Sequence, residues 1–310
     1  MYSPPDSELM GEPLYSREIF TSIEAELAND GYLFELQNTS GDTAKSKNAN
    51  KGAGVGAQGL PPGARKTGNM VSFQNERNLH GLQDRRRPEL FFPAYNSSTI
   101  FEGPNRTEQE TRETFARILK EFEASEEGVA IASLIQAHLK GFVVDKIIAF
   151  GLGRIGFQRP GPLQSFYEHA AAKVVAKAVA DMSSSQTVSL IVQDILYTDV
   201  CKKVLEDFGF DVIEGFGAKG FAIMDDKTVV LAHHPSCPFR SIIADIARPA
   251  LICMREESAA AAHDQSLLLA DADSTNSREM LKEYSSVSLQ VSARQKAFWD
   301  NVWYVRTWML

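Results

Sequence analysis

Apolar residues recur at helical spacing over residues 16–29, where Ile19, Phe20, Ile23 and Leu27 form one stripe. The short apolar run Tyr32-Leu33-Phe34 follows, and then the pattern stops. No aromatic residue occurs between Asn38 and Val71, and Gly52, Gly54, Gly56, Gly59 and Gly63 alternate with small and polar residues. Such a stretch buries too little apolar surface to offset the entropy of ordering it. It ends in no Gly-Lys-Ser/Thr sequence, so it is not read as a phosphate-cradling loop. The pattern therefore predicts a helical extension over 1–37, a disordered insertion over 38–89 and one α/β domain over 90–310.

Within that domain, Leu90-Phe91-Phe92 marks the return of order. Thr107-Glu108-Gln109-Glu110 reads as a capping box opening a helix whose buried stripe is Phe115, Ile118, Leu119 and Phe122. A second helix carries Ile131, Leu134, Ile135, His138 and Leu139, with His138 on the apolar stripe. From there strands alternate with helices, the pattern of a parallel sheet covered on its faces. Strands are predicted at 146–150, 188–192, 211–213, 228–232 and 250–254. Helices are predicted over 163–182 and 200–208, and a further one over 278–284. The fold class read from this alternation is an α/β, Rossmann-like, open and mostly parallel sheet with flanking helices.

The ordered series Ile148-Ala149-Phe150-Gly151-Leu152-Gly153, Glu168-His169, Gln193-Asp194 with Tyr197, Gly209, and His234-Pro235 resembles the fungal branch of the "Sensitivity to Red Light Reduced" (SRR-like) family. The likeness covers about the middle third of the chain. It departs from the family pattern at Gln193-Asp194-Ile195, where the family has Gln-Asp-Pro. What the resemblance implies is a Rossmann-like domain with a regulatory connection and no defined reaction.

Gly151-Leu152-Gly153-Arg154-Ile155-Gly156 spells the glycine-rich turn that lets a pyrophosphate approach a helix N-terminus. Pro160, Gly161 and Pro162 delay that helix, and the acid expected on the next strand is Asp194, farther along than the dinucleotide fingerprint requires. Methyltransferases that use S-adenosylmethionine share the same general layout of strand, glycine-rich turn and acid. Gly151, Gly153, Gly156, Asp194 and Tyr197 are thus the candidate cofactor-binding residues, with S-adenosylmethionine or a nicotinamide dinucleotide as the candidate cofactor. Ligands of open α/β sheets sit outside the carboxyl ends of the strands. His169, predicted on the side of Lys173 away from the apolar stripe, and His233 and His234 all map to that edge. His169 and His234 are the candidate acid–base residues. Cys237, three residues after His234, is a candidate nucleophile. The spacing of these ligand types matches no zinc pattern, and no metal is expected.

Composition narrows the function. With a net charge of −8 the chain lacks the basic face that nucleic acid requires. Arg85-Arg86-Arg87 reads as a solvated loop, with a nuclear address as the alternative. The amino terminus has no secretory pattern and no run approaches the ~18 apolar residues of a membrane helix. Cys201, Cys237 and Cys253 read as reduced thiols of a cytoplasmic protein. The tail bearing Phe298, Trp299, Trp303, Tyr304 and Trp308 is expected to dock on its own core, and alternatively to meet a protein partner. The sequence thus predicts a binder of a small molecule or nucleotide-type cofactor, of methyltransferase-like kind. A regulatory protein-interaction module and a nicotinamide-dependent oxidoreductase are the alternatives.

Overall fold

The structure, a computed structural model, describes residues 13–28, 33–37, 43–47, 70–73, 94–97, 106–157, 163–182, 187–233, 237–255, 271, 273–292, 296–298 and 300–307. Its centre is a seven-stranded sheet. The strands are β5 (Lys146–Phe150), β6 (Ser189–Gln193), β7 (Asp211–Val212), β8 (Thr228–Ala232), β9 (Leu251–Arg255), β10 (Tyr284–Val287) and β11 (Asn301–Arg306). Their spatial order is β10-β11-β9-β8-β5-β6-β7. The neighbours from β9 through β7 are all parallel, whereas β11 runs antiparallel to both β9 and β10. Numbered by their appearance in the chain, the five parallel strands lie in the order 3-2-1-4-5. The chain thus steps outward from β5 to β7, then returns to the other side of β5 for β8.

Strands covered on both faces read as continuous apolar runs, and Thr-Val-Val-Leu-Ala of β8 is buried at every position. The period of two still divides them. Ile147, Ala149, Val229 and Leu231 enter one core cluster, while Ile148, Phe150, Val230 and Ala232 enter the other. The first face is covered by α2 (Glu108–Glu123), α3 (Glu126–His138), α4 (Gln164–Met182) and α5 (Asp199–Asp207). Thr107 and Glu110 close the predicted capping box of α2. His138 is exposed, because the buried stripe of α3 runs through Ile131, Ile135 and Leu139.

The second face is covered by α1 (Arg17–Ala28), α6 (Lys219–Ala222), α7 (Phe239–Ile246) and α8 (Thr275–Leu281). α1 is anchored by polar groups as well as by Phe20, Ile23 and Leu27. The buried carboxylate of Glu24 accepts from the backbone N–H groups of Phe216, Ala218 and Lys219. Arg17 donates to the carbonyls of Met224 and Ile246, and Asp245 accepts from the N–H groups of Leu14 and Tyr15.

The sequence expectation fails in two places. First, the segment read as structureless contains β2 (Thr43–Lys47), paired with β1 (Leu33–Gln37), and β3 (Met70–Phe73), paired with β4 (Ala94–Ser97). Val71 of β3 is buried in the second core, and its N–H donates to the carbonyl of Phe216 at 2.7 Å. Composition averaged over the whole segment hid this one apolar stretch. Second, the predicted helix over 278–284 is shifted: α8 ends at Leu281 and Tyr284 opens β10. The tail docks on its own core as expected: Phe298 and Trp303 are buried in the first core, with ring centroids 6.1 Å apart, and Trp303 is part of β11, a strand the sequence did not suggest. These two rings are therefore unavailable to a partner. Trp299 and Trp308 lie outside the described residues. No helix among the described residues is long and apolar enough to cross a membrane.

Candidate functional site

β5 ends in Gly151-Leu152-Gly153, where Gly151 and Gly153 take φ of 65° and 75°, a region that L side chains avoid. This lets the chain turn sharply at the strand's carboxyl end. The turn is held from its neighbour: Asp194, just after β6, accepts the N–H of Gly153 at 2.7 Å with Oδ2 and the N–H of Leu196 at 2.8 Å with Oδ1. Ser165 in the first turn of α4 donates to the Gly153 carbonyl at 2.8 Å. Burial pushes the Asp194 carboxyl up from its usual range, against the opposing pull of those two backbone donors.

Outside these strand ends lies a cavity of about 500 Å³. Phe150 to Gly153 and Gln193 to Leu196 form its floor and side, Gln164, Ser165 and Glu168 of α4 another wall, and Val71, Phe73 and Phe221 an apolar cover; Cys237 adds a thiol. Loops following β5, β6 and β8 therefore meet at one cavity, at the point where the strand order reverses. Among the described lining residues the ionisable groups are the carboxyls of Glu168 and Asp194 and the Cys237 thiol; no lysine, arginine or histidine lines it.

Two buried polar side chains face the need for partners here. Gln193 accepts the N–H of Gly220 at 2.8 Å with Oε1, which fixes its amide orientation. Its Nε2 is buried with no hydrogen-bond partner among the described residues. Gly220 cannot be larger, since a Cβ there would stand 2.5 Å from Gln193 Oε1 and 2.6 Å from the Phe150 ring. Glu168 is only 3% exposed, accepts from Gln164 Nε2 at 2.8 Å, and lies 3.4 Å from Nε2 of buried His233. Burial, and to a lesser degree the Asp194 charge, push the Glu168 carboxyl up to about 8. Behind it, His233 Nδ1 lies 3.1 Å from Asn301 Oδ1, and Asn301 Nδ2 donates to the carbonyl of Ala232 at 2.8 Å.

The residues singled out from sequence divide. Gly151, Gly153 and Asp194 line the cavity. Gly156 does not: its φ is 82°, its carbonyl accepts the N–H of Arg106, and a Cβ there would meet the Thr111 hydroxyl of α2 at 2.7 Å. It is a packing glycine. His169 is not on the Lys173 side in solvent but wholly buried between Phe115 and Phe210. Its Nδ1 faces the Ser165 carbonyl at 2.6 Å and its Nε2 faces the Tyr197 hydroxyl at 2.7 Å. The carbonyl can only accept, so Nδ1 carries the proton and the Tyr197 O–H donates to Nε2. Burial lowers His169 to about 4 and raises Tyr197 well above the usual phenol range, so both stay neutral, and neither is among the residues that line the cavity. Burial also pushes the Cys237 thiol well up, opposite to what a nucleophilic cysteine needs. His234 lies outside the described residues. No group of three potential metal ligands occurs among the described residues.

Sequence reasoning gave no role to Glu168, Gln193 or Asn301. Glu168 left one signal: a carboxylate followed by His169 and the small apolar run Ala170-Ala171-Ala172, which marks that turn of the helix as packed. Asn301 left none, because its partner stands 68 positions away. Against protein-family models, curated proteins and solved structures, the chain matches none.

Proposed function

We propose that this chain is a Rossmann-like protein of the SRR-like kind that binds an adenosine-type small-molecule cofactor, S-adenosylmethionine being the representative, in the cavity at the ends of β5 and β6. The observation that carries this reading is the cavity's position. In open α/β sheets the ligand crevice lies outside the strands' carboxyl ends where the strand order reverses, and the cavity is lined by the residues that follow β5, β6 and β8 there. The 3-2-1-4-5 order is that of the doubly wound nucleotide-binding sheets, and the antiparallel β11 beyond β9 suits the methyltransferase layout. This last point is an analogy of fold.

Electrostatics favours the sulfonium cofactor over a dinucleotide. A pyrophosphate brings two negative charges, and the described lining residues offer it no cation, only the Asp194 and Glu168 carboxyls. A cationic or neutral ligand suits a wall that carries carboxyls and no cation better. Asp194 and the backbone of Gly151 to Gly153 would hold the ribose end, and Gln193 Nε2 would donate to an acceptor on the ligand. The cofactor, when bound, would supply an activated methyl group. The burial of Phe298 and Trp303 takes those two rings out of the reading as a partner-binding module.

Thermal unfolding with S-adenosylmethionine, S-adenosylhomocysteine, NAD⁺ and NADP⁺ tests the reading. A ligand at ~100 times its Kd stabilises the native state by about 2.7 kcal/mol. A rise in Tm with the two sulfur compounds alone is expected. No shift with either at millimolar concentration, or a shift with NAD⁺ instead, overturns it.

A further inference from the structure

We propose that Glu168, His233 and Asn301 form a proton-holding triad on the cavity wall, in which Glu168 is the catalytic acid–base group that exchanges a proton with an N–H or O–H group of a bound ligand. This rests on the reading that the cavity is a ligand site, and it adds the class of ligand chemistry performed there.

The geometry fixes each member. Asn301 Nδ2 donates to the Ala232 carbonyl, so its Oδ1 is the atom that faces His233 Nδ1. An amide oxygen only accepts, so Nδ1 must carry a proton. Neutral His233 then presents the Nε2 lone pair toward Glu168 Oε1, 3.4 Å away. A carboxylate facing a lone pair is repulsive, whereas one proton between the two atoms satisfies both. The couple therefore holds one proton, as carboxylic acid with imidazole or as carboxylate with imidazolium. Burial of both side chains, 3% and 1% exposed, favours the uncharged form. Glu168 is also the member that lines the cavity, whereas His233 and Asn301 stand behind it as positioning residues.

Groups from several packed elements face this proton. From α4, Gln164 donates to Oε1. From the end of β6, the Asp194 charge discourages a second carboxylate. From β9, Cys253 has its thiol pushed up out of the titrating range by burial, and lies 3.5 Å from Asn301 Nδ2. Tyr197, near the end of β6, also feels the Glu168 charge and stays neutral. Burial keeps the Cys253 thiol and the Tyr197 phenol protonated near neutral pH, and the Gln164 amide only donates. Glu168, titrating at about 8, is thus poised to give a proton below that pH and accept one above it.

Dicyclohexylcarbodiimide, an apolar reagent, provides the test on the full-length, ligand-free protein. The carboxyl O–H adds across one C=N bond: oxygen bonds to the central carbon, and the proton goes to nitrogen. The adduct rearranges to a stable N-acylurea that peptide mass spectrometry locates. Modification of Glu168 at pH 6–7, with labelling that falls through a midpoint near pH 8, is expected. In His233→Gln the amide N–H donates to the carboxylate, and the midpoint should drop by a unit or more. Should that variant not fold, Asn301→Ala, which frees the imidazole's tautomer, should also displace the midpoint. An unlabelled Glu168 in the wild-type protein overturns the proposal, as does a midpoint unmoved in a folded variant. Because no cofactor is used, failure here leaves the cofactor titrations standing, and their failure leaves this result standing.

Discussion

The hydroxyl of Tyr197 lies 2.7 Å from Nε2 of His169, and the imidazole's other nitrogen is taken by the carbonyl of Ser165. Both imidazole nitrogens are thereby occupied, and the Tyr197 bond joins α4 to the segment that follows β6. A histidine that looked like an acid–base group in sequence is therefore a brace for the wall that carries the Gly153–Asp194 contact.

Tyr197→Phe should leave the His169 acceptor buried without a donor. The expected cost is about 1–3 kcal/mol, read from urea unfolding. The Kd for S-adenosylhomocysteine should change less than threefold, because neither ring lines the cavity. A tenfold loss of affinity would place Tyr197 at the ligand after all.

Glu168 predicts a pH dependence with a definite sign. Its carboxyl titrates at about 8 in the folded protein and near 4.5 in the unfolded chain, so the native state binds more protons between those values. Stability from this group is complete below pH ~4.5 and is lost as pH rises toward about 8, at up to about 1.4 kcal/mol per unit. His169 acts oppositely: lowered to about 4, it removes stability as pH falls below ~6.5. The two slopes offset between pH ~4.5 and ~6.5, and the Glu168 slope stands alone above. In Glu168→Gln, thermal unfolding should no longer weaken between pH 6.5 and 8. A wild-type profile flat over that window contradicts the raised pKa.

Asp194→Ala removes the acceptor for the N–H groups of Gly153 and Leu196. A loss of about 1.5–3 kcal/mol is expected, the range for hydrogen bonds to a charged group. Ligand affinity should fall with it, since the glycine turn forms the cavity floor. Guanidinium denaturation and calorimetric titration measure the two effects separately.

Gln193→Glu keeps an acceptor for the Gly220 N–H but removes the unpartnered donor. Affinity for S-adenosylhomocysteine should drop about tenfold, equivalent to about 1.4 kcal/mol, with the fold retained by circular dichroism. Unchanged affinity would mean that Nε2 does not meet the ligand.

Most of the sheet was legible because its information is local. The apolar runs at 146–150 and 228–232 are bounded by glycine and polar residues, and Thr107 and Glu110 announce the start of α2 within four residues. β11 was missed because its aromatic residues suggested only a tail, and a strand that pairs with β9 some fifty residues back leaves no short-range sign. The site was half legible for the same reason. Gly151, Gly153 and Asp194 stand at strand ends, where position alone marks them. Glu168 and His169 are adjacent in sequence, and sequence favoured the histidine for its intrinsic pKa. A rotation of about 100° along the helix instead sends the imidazole into an aromatic core and the carboxyl to the cavity.

Asn301 belongs to β11, which slots between β9 and β10 although both precede it in the chain. During synthesis β10 has no sheet neighbour until β11 emerges, so the sheet cannot be finished progressively from one edge. A nascent chain stopped before Asn301 would already contain Glu168 and His233, yet have nothing to dictate which imidazole nitrogen bears hydrogen. Chemical competence thus arrives with the insertion of one late strand, in the same event that completes the fold.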